Sequence, residues 1–242
     1  MFPHFSFSSF DQSELSYLGA ERFPLMVIDN FIDQPELLLA NASSGEDFKA
    51  SPSDYYPGVR KAVSGNYAEA LCFALQQVFQ QNFDLAASRD PSVSLCAFSM
   101  TTTAPEQLRP IQSLPHFDNS DPLQLAVVHY LCGAEFGGTS FYRHRQTGFE
   151  SIGPDRVQSY AKKLKAEVMA ARFVGKTYMN GDDSWFERIG GVQAKFNRAV
   201  IFRGNLLHSG DIDARKNLSS KPLEGRLTAN TFIHFSAPKA PL

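Results

Sequence analysis

Three residues with metal-binding side chains stand in an order that suits one catalytic metal ion. His116 and Asp118 are separated by a single residue, and His208 follows much later in the chain. Side chains alternate faces along an extended strand, so residues two apart point the same way. Two imidazoles and one carboxylate suit Fe(II) and leave coordination positions open for oxygen chemistry. The three residues are predicted to be the metal ligands and the catalytic residues.

An arginine after the second histidine is placed to bind an anion beside such a metal. Arg226 precedes the apolar run 227–235, and in a strand Arg226 and Thr228 would share one face. A guanidinium offers a rigid pair of hydrogen-bond donors to a carboxylate. A hydrolase does not in general require a guanidinium group beside its metal. Arg226 and Thr228 therefore predict a carboxylate co-substrate and favour an oxygenase.

Taken singly, these motifs are weak. A His-x-Asp pair is common in turns, and a lone histidine after an apolar run is more often a hydrogen-bonded structural residue. Two other interpretations stay open. One is a catalytically silent jelly-roll binding module, in which the histidines only make hydrogen bonds. The other is a zinc-dependent non-oxidative enzyme whose same three ligands polarise water.

Composition limits the class of protein. The chain has 242 residues, of which 43% are hydrophobic, and this is enough to bury one core, so a single domain over residues 1–242 is expected. A net charge of -2 with scattered lysines and arginines gives no basic surface for nucleic acid or a membrane. The N-terminus lacks the pattern of a signal peptide, so a cytoplasmic location is expected. Three cysteines without a Cys-x-x-Cys pair indicate neither disulfides nor a thiolate zinc site.

The elements that must position the candidate ligands are predominantly β. Alternating or apolar β-type runs punctuated by Gly and Pro cover residues 93–102, 123–131, 139–142, 199–202 and 227–235. A strand is predicted within residues 24–33, and helices are predicted over 34–40 and 66–81 and in an insertion at 155–173. This order predicts an antiparallel barrel or jelly roll over about residues 91–242, interrupted at about 154–174, with supporting helices mainly in residues 1–90.

With these motifs together, the sequence resembles the Fe(II)/2-oxoglutarate-dependent oxygenases, in their prolyl-hydroxylase-like branch. The match runs through His116-Phe-Asp118, the distal His208 and Arg226-Leu-Thr228, with a Gly-Gly turn at 137–138. The resemblance covers most of the chain and implies a double-stranded β-helix, or cupin-like jelly roll. The long polar stretch 211–225 and the helical insertion are larger than in compact members of that family.

The resemblance also implies an activity. Fe(II) would be the cofactor, 2-oxoglutarate the co-substrate and ascorbate an auxiliary reductant. The default reaction is hydroxylation of an amino acid, a peptide or protein side chain, or another small metabolite. Asp118 occupies the position that related halogenases give to a small residue, which argues against halogenation. Tyr130 is predicted either to bind the co-substrate or to be a core tyrosine whose hydroxyl finds a backbone partner.

Overall fold

A computed structural model of the chain describes residues 4–10, 13–50, 55–85, 90–215 and 218–236. The strands are β1 (Glu14–Leu18), β2 (Phe23–Ile28), β3 (Gly58–Ala62), β4 (Asp90–Thr101), β5 (Gln124–Tyr130), β6 (Gly138–His144), β7 (Phe186–Gln193), β8 (Arg198–Arg203), β9 (His208–Gly210) and β10 (Leu227–Ser236). The α-helices are α1 (Pro35–Ser43), α2 (Tyr67–Ala74), α3 (Gln76–Asn82) and α4 (Val157–Ala170).

The strands form two antiparallel sheets, which confirms the predicted predominance of β structure. The large sheet has seven strands in the order β1-β2-β8-β5-β10-β4-β3, and the small sheet has three in the order β7-β6-β9. Neighbouring strands within the described ranges pair antiparallel, and each sheet ends in an edge strand on both sides. The described strands therefore form two open sheets.

The large sheet separates two hydrophobic clusters because its side chains alternate between its faces. One face packs against the N-terminal helices, with Leu125 and Ile201 in the same cluster as Leu71. On the other face, Ala126 and Phe202 pack with residues of the small sheet such as Phe141. Full burial of one such side chain is worth roughly 1.5–3 kcal/mol. These contacts fix which strand residues face the space between the two sheets.

The predicted supporting helices are present, with two differences. The helix predicted over 66–81 is divided into α2 and α3, which meet at Leu75. The N-terminal part also supplies β1, β2 and β3 to the large sheet, so its role extends beyond helical support.

The insertion contains α4, as predicted, and its Tyr160 packs with Leu114 and Ile152 in a third cluster. This cluster lies beside the segment that carries the first two candidate ligands, because Phe117 packs against it. Among the described helices, none has both the length and the apolar character that a membrane crossing requires.

Candidate metal centre

Backbone hydrogen bonds hold the two candidate histidine ligands opposite each other. His116 and His208 form an isolated antiparallel bridge, in which the N–H of each donates to the carbonyl of the other, at 2.9 and 2.8 Å. His208 is in turn paired with Phe141 of β6. The two ligands are 92 positions apart in the numbering (208 − 116), yet main-chain atoms alone set their relative position.

Asp118 completes a compact group of three ligand atoms. Its N–H donates to the carbonyl of Gly204, at 2.7 Å, just beyond the end of β8. Asp118 Oδ1 lies 3.8 Å from His116 Nε2, and Oδ2 lies 3.6 Å from His208 Nε2. The three ligand atoms are all within 4.8 Å of one another, so the predicted triad could hold a metal ion.

The protonation of His208 suits metal binding. Its Nδ1 lies 2.8 Å from the carbonyl oxygen of Leu206, which can only accept a hydrogen bond, so Nδ1 carries the proton. In the neutral ring Nε2 therefore presents its lone pair toward Asp118. A backbone carbonyl that fixes the tautomer of a ligating histidine is a common outer-shell feature of metal sites.

Asp118 has a carboxylate oxygen without a hydrogen-bond partner. Oδ2 is buried, and no partner for it exists among the described residues. Burial raises the pKa of Asp118, and the positive charges that His208 and Arg60 can carry oppose this rise. An unsatisfied buried carboxylate oxygen is costly unless a cation or donor approaches it. The donor set and this oxygen both fit a bound cation.

His116 faces the solvent side of the triad. Desolvation by neighbouring protein atoms, and then the charges of His208 and Arg60, hold the pKa of His116 well below its usual range. The side chain is nevertheless 51% exposed, so water screens part of this effect. A neutral, accessible imidazole is the form that binds a metal ion.

The predicted co-substrate residues also come together. Arg226 is 7% exposed and lies just before β10, and its Nη2 donates to the carbonyl of Gly138 at 2.8 Å. Its Cζ lies 5.6 Å from the centroid of the Tyr130 ring. Thr228 is paired with Tyr130 across the β10–β5 ladder. All three residues therefore lie in one buried region.

Tyr130 faces the space between the sheets. Its hydroxyl is 2.6 Å from Thr139 Oγ1 on the small sheet, so the partner is a side chain and not the backbone. Burial raises the pKa of Tyr130 to about 12, and the positive charge of Arg226 opposes that rise. The adjacent His129 points to the opposite face, where it bonds the hydroxyl of Tyr67 at 3.0 Å. These neighbouring residues therefore point to opposite faces of the sheet, as alternation along a strand requires.

A glycine of β9 lies close to both Arg226 and His208. Gly210 follows His208 by two residues in β9, so both lie on one face of the strand. A Cβ added at Gly210 would lie 3.6 Å from Arg226 Nη2. Arg226 Nε is buried without a hydrogen-bond partner among the described residues. Arg226 and the metal triad therefore adjoin the same strand, and an added Cβ at position 210 would also lie 3.3 Å from Ile212 Cδ1.

The sequence reasoning missed a second arginine on this surface. Arg60 is paired with Ser99, Ser99 with Thr228, and Thr228 with Tyr130, so one row crosses four strands. The Cζ of Arg60 lies 4.7 Å from the centroid of the Tyr56 ring. Residues 55–60 contain Pro and Gly, which are typical of turns, and this concealed β3. Residues 59–62 read Val-Arg-Lys-Ala, which does not alternate between apolar and polar side chains, so the sequence offered little signal for this strand.

Two other histidines, His144 and His234, lie outside the triad. His144 is buried, with Nε2 2.7 Å from Glu167 Oε2 on α4. His234 Nδ1 lies 3.2 Å from Asp121 Oδ2 near the surface. These contacts account for both side chains without a metal ion.

The comparisons with known proteins identify one family and assign no activity. No curated protein matches the chain. One family model, described as a family of unknown function (DUF6445), matches residues 11–233 and so includes every candidate ligand. Because this match spans most of its length, the chain belongs to the DUF6445 family.

Proposed function

We propose that the protein is an Fe(II)- and 2-oxoglutarate-dependent oxygenase that hydroxylates a substrate C–H bond. The observation that carries the proposal is the convergence of two sites on β9. The His116, Asp118 and His208 ligand atoms lie within 4.8 Å of one another, and Gly210, two residues beyond His208, adjoins the buried Arg226. A metal triad beside an anion-binding arginine is the pairing that a chelating dicarboxylate needs.

The ligand set favours Fe(II). Two imidazole nitrogens and one carboxylate, gathered on one side, leave positions open for a co-substrate and O2. The triad contains no thiolate, and the three cysteines of the chain form no disulfide and are not among its members. A structural zinc site would be closed by four protein ligands. The described residues offer three at this position.

The co-substrate pocket is proposed to use Arg226, Tyr130 and Thr228. A carboxylate can accept two hydrogen bonds from one guanidinium, and the buried Nε of Arg226 has a donor available for it. Tyr130 and Thr228 bring hydroxyl groups to the same region. Their roles would be to receive and orient the distal carboxylate of 2-oxoglutarate, while its 2-oxo acid end reaches the metal.

The jelly-roll topology is part of the same proposal. Two facing antiparallel sheets, with metal ligands on a strand of the small sheet and on the adjoining bridge, support a double-stranded β-helix that forms one domain. In this arrangement the seven-stranded sheet is extended by strands from the N-terminal third of the chain. We propose this jelly-roll topology as the scaffold of the oxygenase.

The bound groups would supply the oxidation chemistry, whereas the protein residues would bind and orient those groups. Fe(II) with 2-oxoglutarate would couple reduction of O2 to oxidative decarboxylation, giving succinate, CO2 and a hydroxylated substrate. His116, Asp118 and His208 would hold the metal, and Arg226 would orient the co-substrate. Phe141 and Phe202 pack against His208, with ring centroids 6.4 and 4.8 Å away, and exclude water from that side.

The proposal is tested by succinate formation. Protein purified anaerobically, loaded with Fe(II) and given 2-oxoglutarate and ascorbate is exposed to O2, and the wild type is compared with His208→Ala. Succinate that requires both Fe(II) and His208 is the expected result. Failure to bind Fe(II) and 2-oxoglutarate would favour the silent binding module. Tightly bound zinc without affinity for 2-oxoglutarate would favour the zinc enzyme.

A further inference from the structure

We infer that the exposed side of α4 is a docking surface for an acidic segment of a protein substrate. This inference rests on the proposed function, and it names the class of substrate that the same enzyme would oxidise. The docking surface, called the α4 surface below, consists of four exposed cations and two exposed apolar side chains. These residues are Lys162, Lys163, Lys165 and Arg172, together with Met169 and Val174.

Positive charge is concentrated in this segment of the chain. Residues 161–174 contain four of the 23 lysines and arginines but only one of the 25 aspartates and glutamates. The one acid, Glu167, contacts the buried His144, with Oε2 2.7 Å from Nε2. None of the four cations is paired with a carboxylate in the part of the chain that the structure describes. Their charges are therefore available to an acidic partner.

The cations lie on the side of α4 that faces away from the protein. Tyr160 packs in the third hydrophobic cluster, which fixes the inner side of the helix. At 3.6 residues per turn, Lys162 and Met169 project from the opposite side, and Lys165 lies next to them. The apolar side of α4 is thus covered by the protein itself, whereas its charged side is exposed to a partner.

The α4 surface lies near the candidate metal centre. Phe117 stands between the candidate ligands His116 and Asp118, and its ring centroid is 6.3 Å from that of Tyr160. A helix with its side chains is about 10–12 Å wide, so the outer side of α4 lies roughly 15–20 Å from the triad. An extended chain advances about 3.3–3.6 Å per residue. A protein segment held by α4 can therefore reach the metal with a residue roughly five positions away.

The chemistry of the α4 surface favours a protein over a nucleic acid or a membrane. Single-stranded nucleic acids stack their bases on exposed aromatic rings. Phe173 and Trp185, near the end of α4, are instead half-buried and pack edge to face, with ring centroids 5.1 Å apart. A membrane-surface helix inserts its apolar side into lipid, but that side of α4 packs against the protein. Met169 and Val174 are 67% and 65% exposed among the cations, which suits a peptide with acidic and apolar side chains.

The test measures binding of fluorescent probes to the whole chain by anisotropy at low salt. The acidic probe is a peptide of Glu-Glu-Leu repeats, and the neutral probe has Gln in place of every Glu. Oligouridylate and vesicles of phosphatidylcholine with phosphatidylserine are tested in parallel. One variant combines Lys162→Gln with Lys165→Gln, and a second combines Lys162→Glu with Lys165→Glu. The control combines Arg215→Gln with Lys221→Gln, which removes two charges from side chains that are 90% and 73% exposed on another segment.

We expect the wild type to bind the acidic peptide roughly 10-fold or more tightly than the neutral one, because each exposed ion pair adds a factor of about 1.4–5. Salt at about 0.5 M should remove most of this preference. The double Gln variant should lose severalfold in affinity and the double Glu variant should lose the preference, whereas the control keeps it. No preference in the wild type, an equal loss in the control, or tighter binding of RNA or vesicles would overturn the inference. So would a dimer in sedimentation that the double Glu variant dissociates, because α4 would then bind a second copy.

Failure of the proposed function is recognised separately. Calorimetric titration of 2-oxoglutarate into the Zn(II)-loaded protein tests that function directly, and peptide binding to the α4 surface requires neither group. If the co-substrate binds but the acidic peptide shows no preference, the inference fails alone. If the preference depends on Lys162 and Lys165 but the co-substrate does not bind, the proposed function fails. The α4 surface would then be the docking surface of a silent binding module, and its partner would not be a substrate.

Discussion

Replacing Arg226 by glutamine should separate binding of the co-substrate from binding of the metal. Arg226 is 7% exposed, donates a hydrogen bond to the carbonyl of Gly138 and lies beside the ring of Tyr130. None of these atoms belongs to the triad of His116, Asp118 and His208. The substitution removes the positive charge and the fork while the metal ligands and their backbone bridge remain.

The expected loss of 2-oxoglutarate affinity follows from the hydrogen bonds that the substitution removes. Each hydrogen bond from a charged donor is worth about 1.5–3 kcal/mol, so loss of a two-donor fork costs at least about 3 kcal/mol of binding free energy. This corresponds to a rise in Kd of 2-oxoglutarate of roughly 100-fold or more. Without ligand, loss of the bond to Gly138 is offset by relief of the desolvation of a buried charge, which costs several kcal/mol. We therefore expect the free energy of unfolding to change by no more than about 1 kcal/mol.

Isothermal titration of 2-oxoglutarate into Zn(II)-loaded protein measures the Kd, and urea denaturation measures the free energy of unfolding. Thr228→Val is the matched control, because it removes one neutral donor from the same strand and should raise Kd less than 10-fold. An unchanged Kd in Arg226→Gln would refute the assignment of Arg226. A large loss of both stability and metal binding would show instead that Arg226 supports the fold.

Three further predictions concern the metal, acid stability and the insertion. Zn(II) at 100 times its Kd should stabilise the wild type by about 2.7 kcal/mol in calorimetric unfolding, and His208→Ala should lose this increment; equal stabilisation of both proteins would argue against the triad. Burial lowers the pKa of His129 to about 4 from its ordinary 6.5. The unfolded chain therefore binds the proton first, and stability is lost as pH falls from about 6.5 toward 4, by about 2 kcal/mol between pH 7 and 5. Urea titrations should show that His129→Asn lacks this part of the pH dependence. An identical loss of stability between pH 7 and 5 in the variant would contradict the role of His129. The Tyr160 hydroxyl is buried without a partner among the described residues, so Tyr160→Phe should leave the Tm unchanged or raise it, and a fall of several degrees would refute this.

The sequence was most informative where one physical pattern dominated. Alternation and apolar runs predicted β4, β5, β8 and β10, because these strands pair with neighbours on both sides and bury whole faces. The amphipathic spacing of residues 155–173 predicted α4 for the same reason. The proximity of His116, Asp118 and His208 was also predicted correctly, since the types and order of these residues carried that information.

What was missed depended on tertiary contacts. The three-residue strand β9 is too short for a periodic pattern, and β7 contains Gly190 and Gly191, which weaken a strand signal. The break between α2 and α3 falls at Leu75, where neither Pro nor Gly marks the end of a helix. Arg60 was overlooked because only pairing with β4 turns its segment into a strand.

The bridge between His116 and His208 has a consequence for the history of the family. The two hydrogen bonds are made by peptide groups, which every residue type except proline can provide at both positions. A relative that exchanged either imidazole for another side chain would keep the same crossing of the chain. Under the proposed function, loss of catalysis would then require only a single codon change and no remodelling of the scaffold, so active and inactive members could coexist within one sequence family. The residues aligned with positions 116, 118 and 208 are therefore the first to inspect when an activity found in one member is transferred to another.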